Sequence, residues 1–173
     1  MKRTLSLPIL LLLIIFSLPL FAEQTTIRSA DGAIPVQFTG LAEKKDLSGP
    51  KGRIAIRIDN IRNSKGTLGI ALFKSETGFP DKPEKAFAFA SIATKESPGE
   101  IVIENIPYGT YALSVLHDEN ENRKMDKTWV GKPKEGFGTS NNPKVRFGPP
   151  KFDESGFVLD RENISIVIDM MYL

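Results

Sequence analysis

Isoleucine recurs at every second position from Ile54 to Ile58, alternating with Ala55, Arg57 and Asp59. A helix would scatter those isoleucines around its circumference, whereas a strand lines them up on one face. The segment is therefore predicted as a strand with one face in the core. The same period returns at Leu68, Ile70 and Leu72, at Ile101 and Ile103, at Tyr111, Leu113 and Val115, and at Ile164, Ile166, Ile168 and Met170. Phe87 and Phe89 alternate with alanines, and residues 157–159 supply one more short strand. Turn signals separate these runs. Asn63-Ser64-Lys65-Gly66 reads as a hairpin turn that makes the first two strands partners, with Gly66 free to take positive φ. Ser97-Pro98-Gly99 and Pro107-Tyr108-Gly109 turn the chain again.

About seven short strands, with few residues left for helix, predict an all-β chain folded as an immunoglobulin-like or transthyretin-like β-sandwich. A long aperiodic stretch, residues 118–155, follows the fifth strand. Residues 76–85 hold two prolines and a glycine and read as a connection, with Pro83 opening a short helical turn. The sandwich domain is assigned to residues 51–173. Residues 23–50 are weakly patterned and form a lead-in segment, with one strand expected at 34–38.

The N-terminus has a different character. Lys2 and Arg3 precede an apolar run from Leu5 to Ala22, broken by Pro8 and Pro19 and followed by polar Glu23. A basic start, an apolar middle and a small residue before polar sequence predict a signal peptide over residues 1–22. The two prolines argue against a membrane-spanning helix, which needs roughly 20 apolar residues without breakers. The expected location is periplasmic or secreted, with no membrane span after cleavage.

Cleavage after Ala22 removes Lys2 and Arg3 and no acid, leaving 21 of the 23 basic residues against 21 acidic ones. Taken over the whole surface, that balance offers no electrostatic case for nucleic acid or anionic lipid. The chain has no cysteine, which excludes disulfides, thiolate metal sites and thiol nucleophiles.

The most informative stretch runs from His117 to Asp126. Asp118, Asn120, Asn122 and Asp126 stand at positions 1, 3, 5 and 9 of a calcium loop, and Lys124 at position 7 would offer its backbone carbonyl. A hard cation takes six to eight oxygens, and alternate residues on a tight turn converge on one point. Arg123 stands where such a turn prefers glycine, and Trp129 where a bidentate glutamate belongs; Glu135 could fold back as a further ligand. The competing reading is an Asx-rich turn closed by its own side-chain hydrogen bonds. Any calcium bound here is expected to be weak.

Several joined motifs carry a resemblance over residues 51–173. They are Asn105-Ile106-Pro107-Tyr108-Gly109-Thr110-Tyr111-Ala112, His117-Asp118-Glu119-Asn120, the glycine-rich run of residues 131–142, and Phe147-Gly148-Pro149-Pro150-Lys151-Phe152. With Phe79, Pro83-Glu84-Lys85-Ala86 and Tyr172, they resemble the domain-of-unknown-function 2141 family of exported bacterial proteins. The family loop resembles HDENGNGKLD; here Glu121 and Arg123 replace both glycines. The resemblance brings no activity with it. The Pro-x-Gly-x-Tyr turn is also similar to transthyretin-like sandwiches, a fold analogy only.

His117 is the only histidine, and no Gly-x-Ser-x-Gly or comparable nucleophile arrangement accompanies it. Trp129, Phe137, Phe147 and Phe152 are expected to pin the aperiodic stretch onto the sandwich. The leading expectation is an exported, non-enzymatic module with a binding or structural role in the cell envelope. Its partner would be an envelope protein, a carbohydrate or a small ligand, met through the 117–150 segment. The alternative is an envelope hydrolase using His117 and Asp118, with a hydroxyl such as Ser140 gathered into the same cleft.

Overall fold

The computed structural model of the chain describes residues 27–29 (as backbone), 49–97, 99–144 and 148–173. The expected signal peptide, the expected strand at 34–38, most of the lead-in segment and Phe147 lie outside the described residues.

The strands are β1 (Ile27–Ser29), β2 (Lys51–Asp59), β3 (Thr67–Phe73), β4 (Ala88–Ala93), β5 (Ile101–Pro107), β6 (Gly109–Asp118), β7 (Gly136–Thr139), β8 (Phe157–Leu159) and β9 (Asn163–Asp169). They form two sheets. One has the order β1-β5-β2-β9; the other has the order β4-β3-β6-β7, with β8 paired to β6. Among the described residues helical structure is confined to single turns, such as Pro83–Lys85 and α1 (Phe152–Ser155). The all-β sandwich read from the alternation is the fold.

The inner faces follow that alternation. Ile54 and Ile56 of β2, Leu68, Ile70 and Leu72 of β3, Ile101 and Ile103 of β5, and Tyr111, Leu113 and Val115 of β6 are buried in one cluster. Ile168 and Met170 join it, with Ile164 and Ile166 half-buried against it. Each such side chain contributes about 1.5–3 kcal/mol by leaving water, which is how a chain without disulfides holds two sheets together. In β4 the alanines, not Phe89, face inward: Ala88, Ala90 and Ile92 are in the core. Phe89 turns outward and meets a second cluster of Ala71, Phe73, Ala86, Phe79 and Phe152.

One pairing differs from expectation. β2 and β3 are not a hairpin: β2 lies between β5 and β9, while β3 lies between β4 and β6 in the other sheet. Period-two alternation shows which face is buried but is silent about which strand lies alongside. Gly66 does take positive φ, at 63°. Its place is tight: Gly66 leads into β3 beside the end of β6 in the same sheet, and a Cβ there would run into the Asp118 carbonyl oxygen. The partner of β2 is β9, paired in parallel and in unbroken register from Arg53↔Asn163 to Asp59↔Asp169.

The chain also passes between sheets from β5 to β6, at Pro107-Tyr108-Gly109. Tyr111 points back across this corner and donates its hydroxyl to the Pro107 carbonyl at 2.8 Å. The ring is fully buried against Phe87 and Phe157. A side chain that packs in the core and ties down the backbone of the crossing fixes the angle at which β6 enters the second sheet.

The stretch after β6 is less irregular than its sequence suggests. β7 divides it, pairing with β6 from Ser114↔Thr139 to His117↔Gly136. Four residues, two of them glycine, are too few to show a period. Those glycines make room: a Cβ at Gly136 would meet the Tyr172 ring at 2.2 Å, and one at Gly138 would meet Ile168 at 2.6 Å. Phe137 and Met171 exchange backbone hydrogen bonds at 3.0 and 2.8 Å, linking the edge of one sheet to the segment beyond β9. Part of the expected lead-in is also strand, since β1 pairs antiparallel with β5.

Candidate functional site

β6 ends at Asp118 and β7 begins at Gly136, so residues 119–135 connect two neighbouring strands. The His117↔Gly136 register brings Asp118 and Glu135 to the mouth of that connection. Both carboxylates are buried, at 3% and 5% exposure. Asp118 accepts from the backbone N–H groups of Asn122 (3.1 Å) and Arg123 (2.6 Å). Glu135 accepts from those of Glu119 (3.1 Å) and Asp126 (3.0 Å), closing the loop at its base. Two buried carboxylates thus satisfy four backbone donors, one of which, the Asn122 N–H, is shared with the Asn120 side-chain carbonyl.

Four of the expected ligand residues converge. The side-chain amides of Asn120 and Asn122 donate to the two carboxylate oxygens of Asp126, at 2.8 and 3.0 Å. Their carbonyl oxygens accept backbone N–H groups, of Asn122 at 3.2 Å and of Lys124 at 2.8 Å. Lys124 enters the cluster through its backbone N–H rather than the expected carbonyl, while its side chain is exposed. Glu135 does fold back as expected, although its oxygens are directed at backbone N–H groups. Among the described residues no group of three or more His, Cys, Asp or Glu is placed to hold a metal ion. A cation in this loop would depend on asparagine and backbone oxygens.

Glu121 and Arg123, which replace the glycines of the family loop, adopt positive φ of 60° and 62°. The chain keeps the glycine path without glycine, at a cost of roughly 1–2 kcal/mol for each residue.

His117 is fully buried. Its Nε2 lies 2.8 Å from the Lys65 carbonyl, which can only accept, so Nε2 carries a proton. Nδ1 lies 2.8 Å from the Tyr172 hydroxyl, which in turn accepts the Arg62 backbone N–H at 3.2 Å. This relay joins three chain segments, and the Arg62 guanidinium stacks on the Tyr172 ring, 4.5 Å from its centroid. Burial pushes the Tyr172 phenol above its ordinary value, with the Glu119 charge adding to the rise and Arg62 opposing it. Burial also pushes Glu119 upward, but hydrogen bonds from Asn63 and Arg62, with the charges of Arg62 and His117, outweigh it and hold the carboxyl below its ordinary value.

Ser140 is not gathered beside His117. It is fully buried, accepting the Leu113 N–H at 2.9 Å and donating to the Ser155 carbonyl at 2.5 Å. Sequence reasoning missed Tyr172 as the histidine's partner, although both residues belong to the family motifs. For the Lys65 carbonyl there was no signal to find, because a backbone acceptor has no sequence signature.

The aromatic residues of the stretch divide. Phe152 packs edge-on against Phe79 at 5.9 Å, as a plug should. Trp129, expected to be a plug as well, is 96% exposed. It rides at the tip of a small hairpin in which Thr128 N–H bonds the Lys132 carbonyl (2.7 Å) and Gly131 N–H bonds the Thr128 carbonyl (2.8 Å). A turn this tight turns its central side chains away from the sheet, and composition alone did not reveal it.

Beside the loop, a groove of about 1040 Å³ crosses the outer face of β3, β4, β6 and β7. Gly69, Ala71, Phe89, Ser114, Leu116 and Phe137 lie along it, with Arg123, Lys124 and Met125 from the loop and Pro149 and Pro150 at its borders. Ser114 donates its hydroxyl to the Pro80 carbonyl at 2.8 Å, fastening the 74–87 connection over part of the same face.

Fold and site define the class: an all-β, two-sheet domain with an Asx-rich loop between neighbouring strands and a groove along one outer face. Within that class the chain belongs to the domain-of-unknown-function 2141 family, described as an uncharacterized protein conserved in bacteria, whose profile matches residues 56–167. No curated protein and no solved structure matches the chain. Among the described residues no helix is long and apolar enough to cross a membrane.

Proposed function

We propose that this chain is an exported, non-enzymatic β-sandwich module of the cell envelope, binding a carbohydrate, small ligand or envelope protein in the groove beside the 117–150 segment. The observation that carries the reading is the groove itself, with small and apolar side chains on its floor and a basic loop along one wall. Ligand sites are concave and mostly apolar, with a few polar groups that set orientation. The hydrolase alternative gains no support from the geometry. Both ring nitrogens of His117 are bonded within the protein, and the Asp118 carboxylate is taken up by its own loop. Calcium belongs to the same proposal as a weak stabilising ion, supported by the contacts of Asn120 and Asn122 with Asp126 and by the Asn122 N–H that Asp118 and Asn120 share.

Gly69 gives the test. A Cβ there would make ordinary contacts with the Phe89 ring, nearest at 3.5 Å, so the backbone accepts a side chain and Gly69→Leu directs one into the groove. Soluble oligosaccharides and small apolar ligands are screened by ligand-observed NMR. A hit should weaken at least tenfold in Gly69→Leu while the melting temperature stays close to wild type. Equal binding by the variant, or no binder at all, sinks the groove reading. Export is tested separately by the intact mass of protein recovered from the envelope fraction, expected to lack residues 1–22.

A further inference from the structure

We infer that the Trp129 hairpin is a docking spike for an anionic lipid surface. Trp129 and Val130 are adjacent at its tip, 96% and 63% exposed. Holding an indole in water forgoes one of the largest burial gains any side chain offers. The spike is stiff. Besides the two bonds of its turn, the Lys132 N–H bonds the Thr128 hydroxyl at 3.0 Å, and the Lys134 N–H bonds the Asp126 carbonyl at 2.9 Å. The Glu135 carboxylate clamps its root. The backbone that carries the indole is therefore held in place, so little backbone freedom remains to be lost when it inserts.

The charges around the tip choose the occupant. Lys127 and Lys132 flank it on the two arms, and Lys124 and Lys134 lie just behind; all four are exposed. Among the described residues no ion pair takes up any of them. Both acids of the hairpin are engaged, Asp126 with the Asn120 and Asn122 amides and Glu135 with backbone N–H groups, which leaves Glu121 of the preceding loop as the exposed acid against the four lysines. The neutral balance of the chain as a whole thus hides a local excess of positive charge. A protein partner would need about 800 Å² of contact on this side, far more than two side chains present, and lysine is depleted in such interfaces. A tryptophan among lysines suits a headgroup layer instead: the indole sits at the boundary while the ammonium groups meet phosphates. The inference deepens the binding-module reading and rests on it for an envelope location.

The chain has a single tryptophan, so its fluorescence reports this tip alone, whatever the apolar residues 5–22 do. Full-length protein is titrated with phosphatidylglycerol-containing vesicles and with pure phosphatidylcholine vesicles. With the anionic vesicles, the emission should move to shorter wavelength and become quenchable by brominated acyl chains. Cosedimentation should fall about fivefold for each of Lys127→Gln and Lys132→Gln, and at least tenfold for Trp129→Ala. An unmoved emission overturns the inference, whether the protein stays in solution or sediments through another segment. Equal binding to neutral vesicles overturns it, as does a shift seen only with an added envelope protein. Trp129→Ala leaves the Gly69 face intact, so failure here and failure of the groove are read independently.

Discussion

At the scale of single residues, the loop after β6 shows a conformation surviving the loss of the residues that make it easy. Glu121 and Arg123 hold positive φ because the Asp118 carboxylate captures the N–H groups of Asn122 and Arg123 whatever the side chain at either position. Replacing both with glycine should relieve the strain, partly offset by the freedom glycine adds to the unfolded chain, for a net gain of about 1 kcal/mol. Urea unfolding of the double variant measures it, and a loss would mean the two side chains hold the loop through contacts of their own. Glu119 supplies a pH test. Its folded carboxyl ionises more readily than in the unfolded chain, so its contribution is present above the ordinary carboxylate range and disappears as pH falls through the lowered value. Stability measured from pH 7 downward should therefore decline less in Glu119→Gln than in wild type.

At the scale of elements, the corner between β5 and β6 and the loop between β6 and β7 are separable units. Tyr111→Phe leaves the buried Pro107 carbonyl without this donor and should cost about 1–3 kcal/mol, read by chemical denaturation. The loop is where calcium would act. At about 1 mM free calcium and a Kd on the order of 0.1 mM, binding would add about 1.4 kcal/mol to the folded state. That is a melting rise of about 4–8 °C for a domain near this size. Asp118→Ala and Asp126→Ala should each abolish it; a wild-type melt unmoved by calcium leaves the loop as an Asx turn.

These elements also show what a sequence can disclose. Ile54, Ile56 and Ile58 announced their face because burial is local to each residue, and β9 announced its own in the same way, but nothing announced that the two strands, more than a hundred residues apart, lie side by side. The Asx cluster was legible because its bonds span few residues. The Lys65 carbonyl under His117 and the exposure of Trp129 were not, because they follow from where the folded backbone places each segment.

At the scale of the whole molecule, the parallel β2–β9 pairing governs when the fold can exist. β2 is laid down early and β9 more than a hundred residues later, yet they share a register over seven rungs. A nascent chain that has not reached Asn163 carries β2 with one edge bare and Ile54 and Ile56 short of their covering strand. Such far-separated pairings make folding slow, since the loop must close before its contacts repay the closure. The sheet that holds β2 thus cannot be completed until a strand more than a hundred residues downstream has been made. Strand order in the finished sandwich therefore acts as a clock, holding one sheet open until its far-off strand arrives.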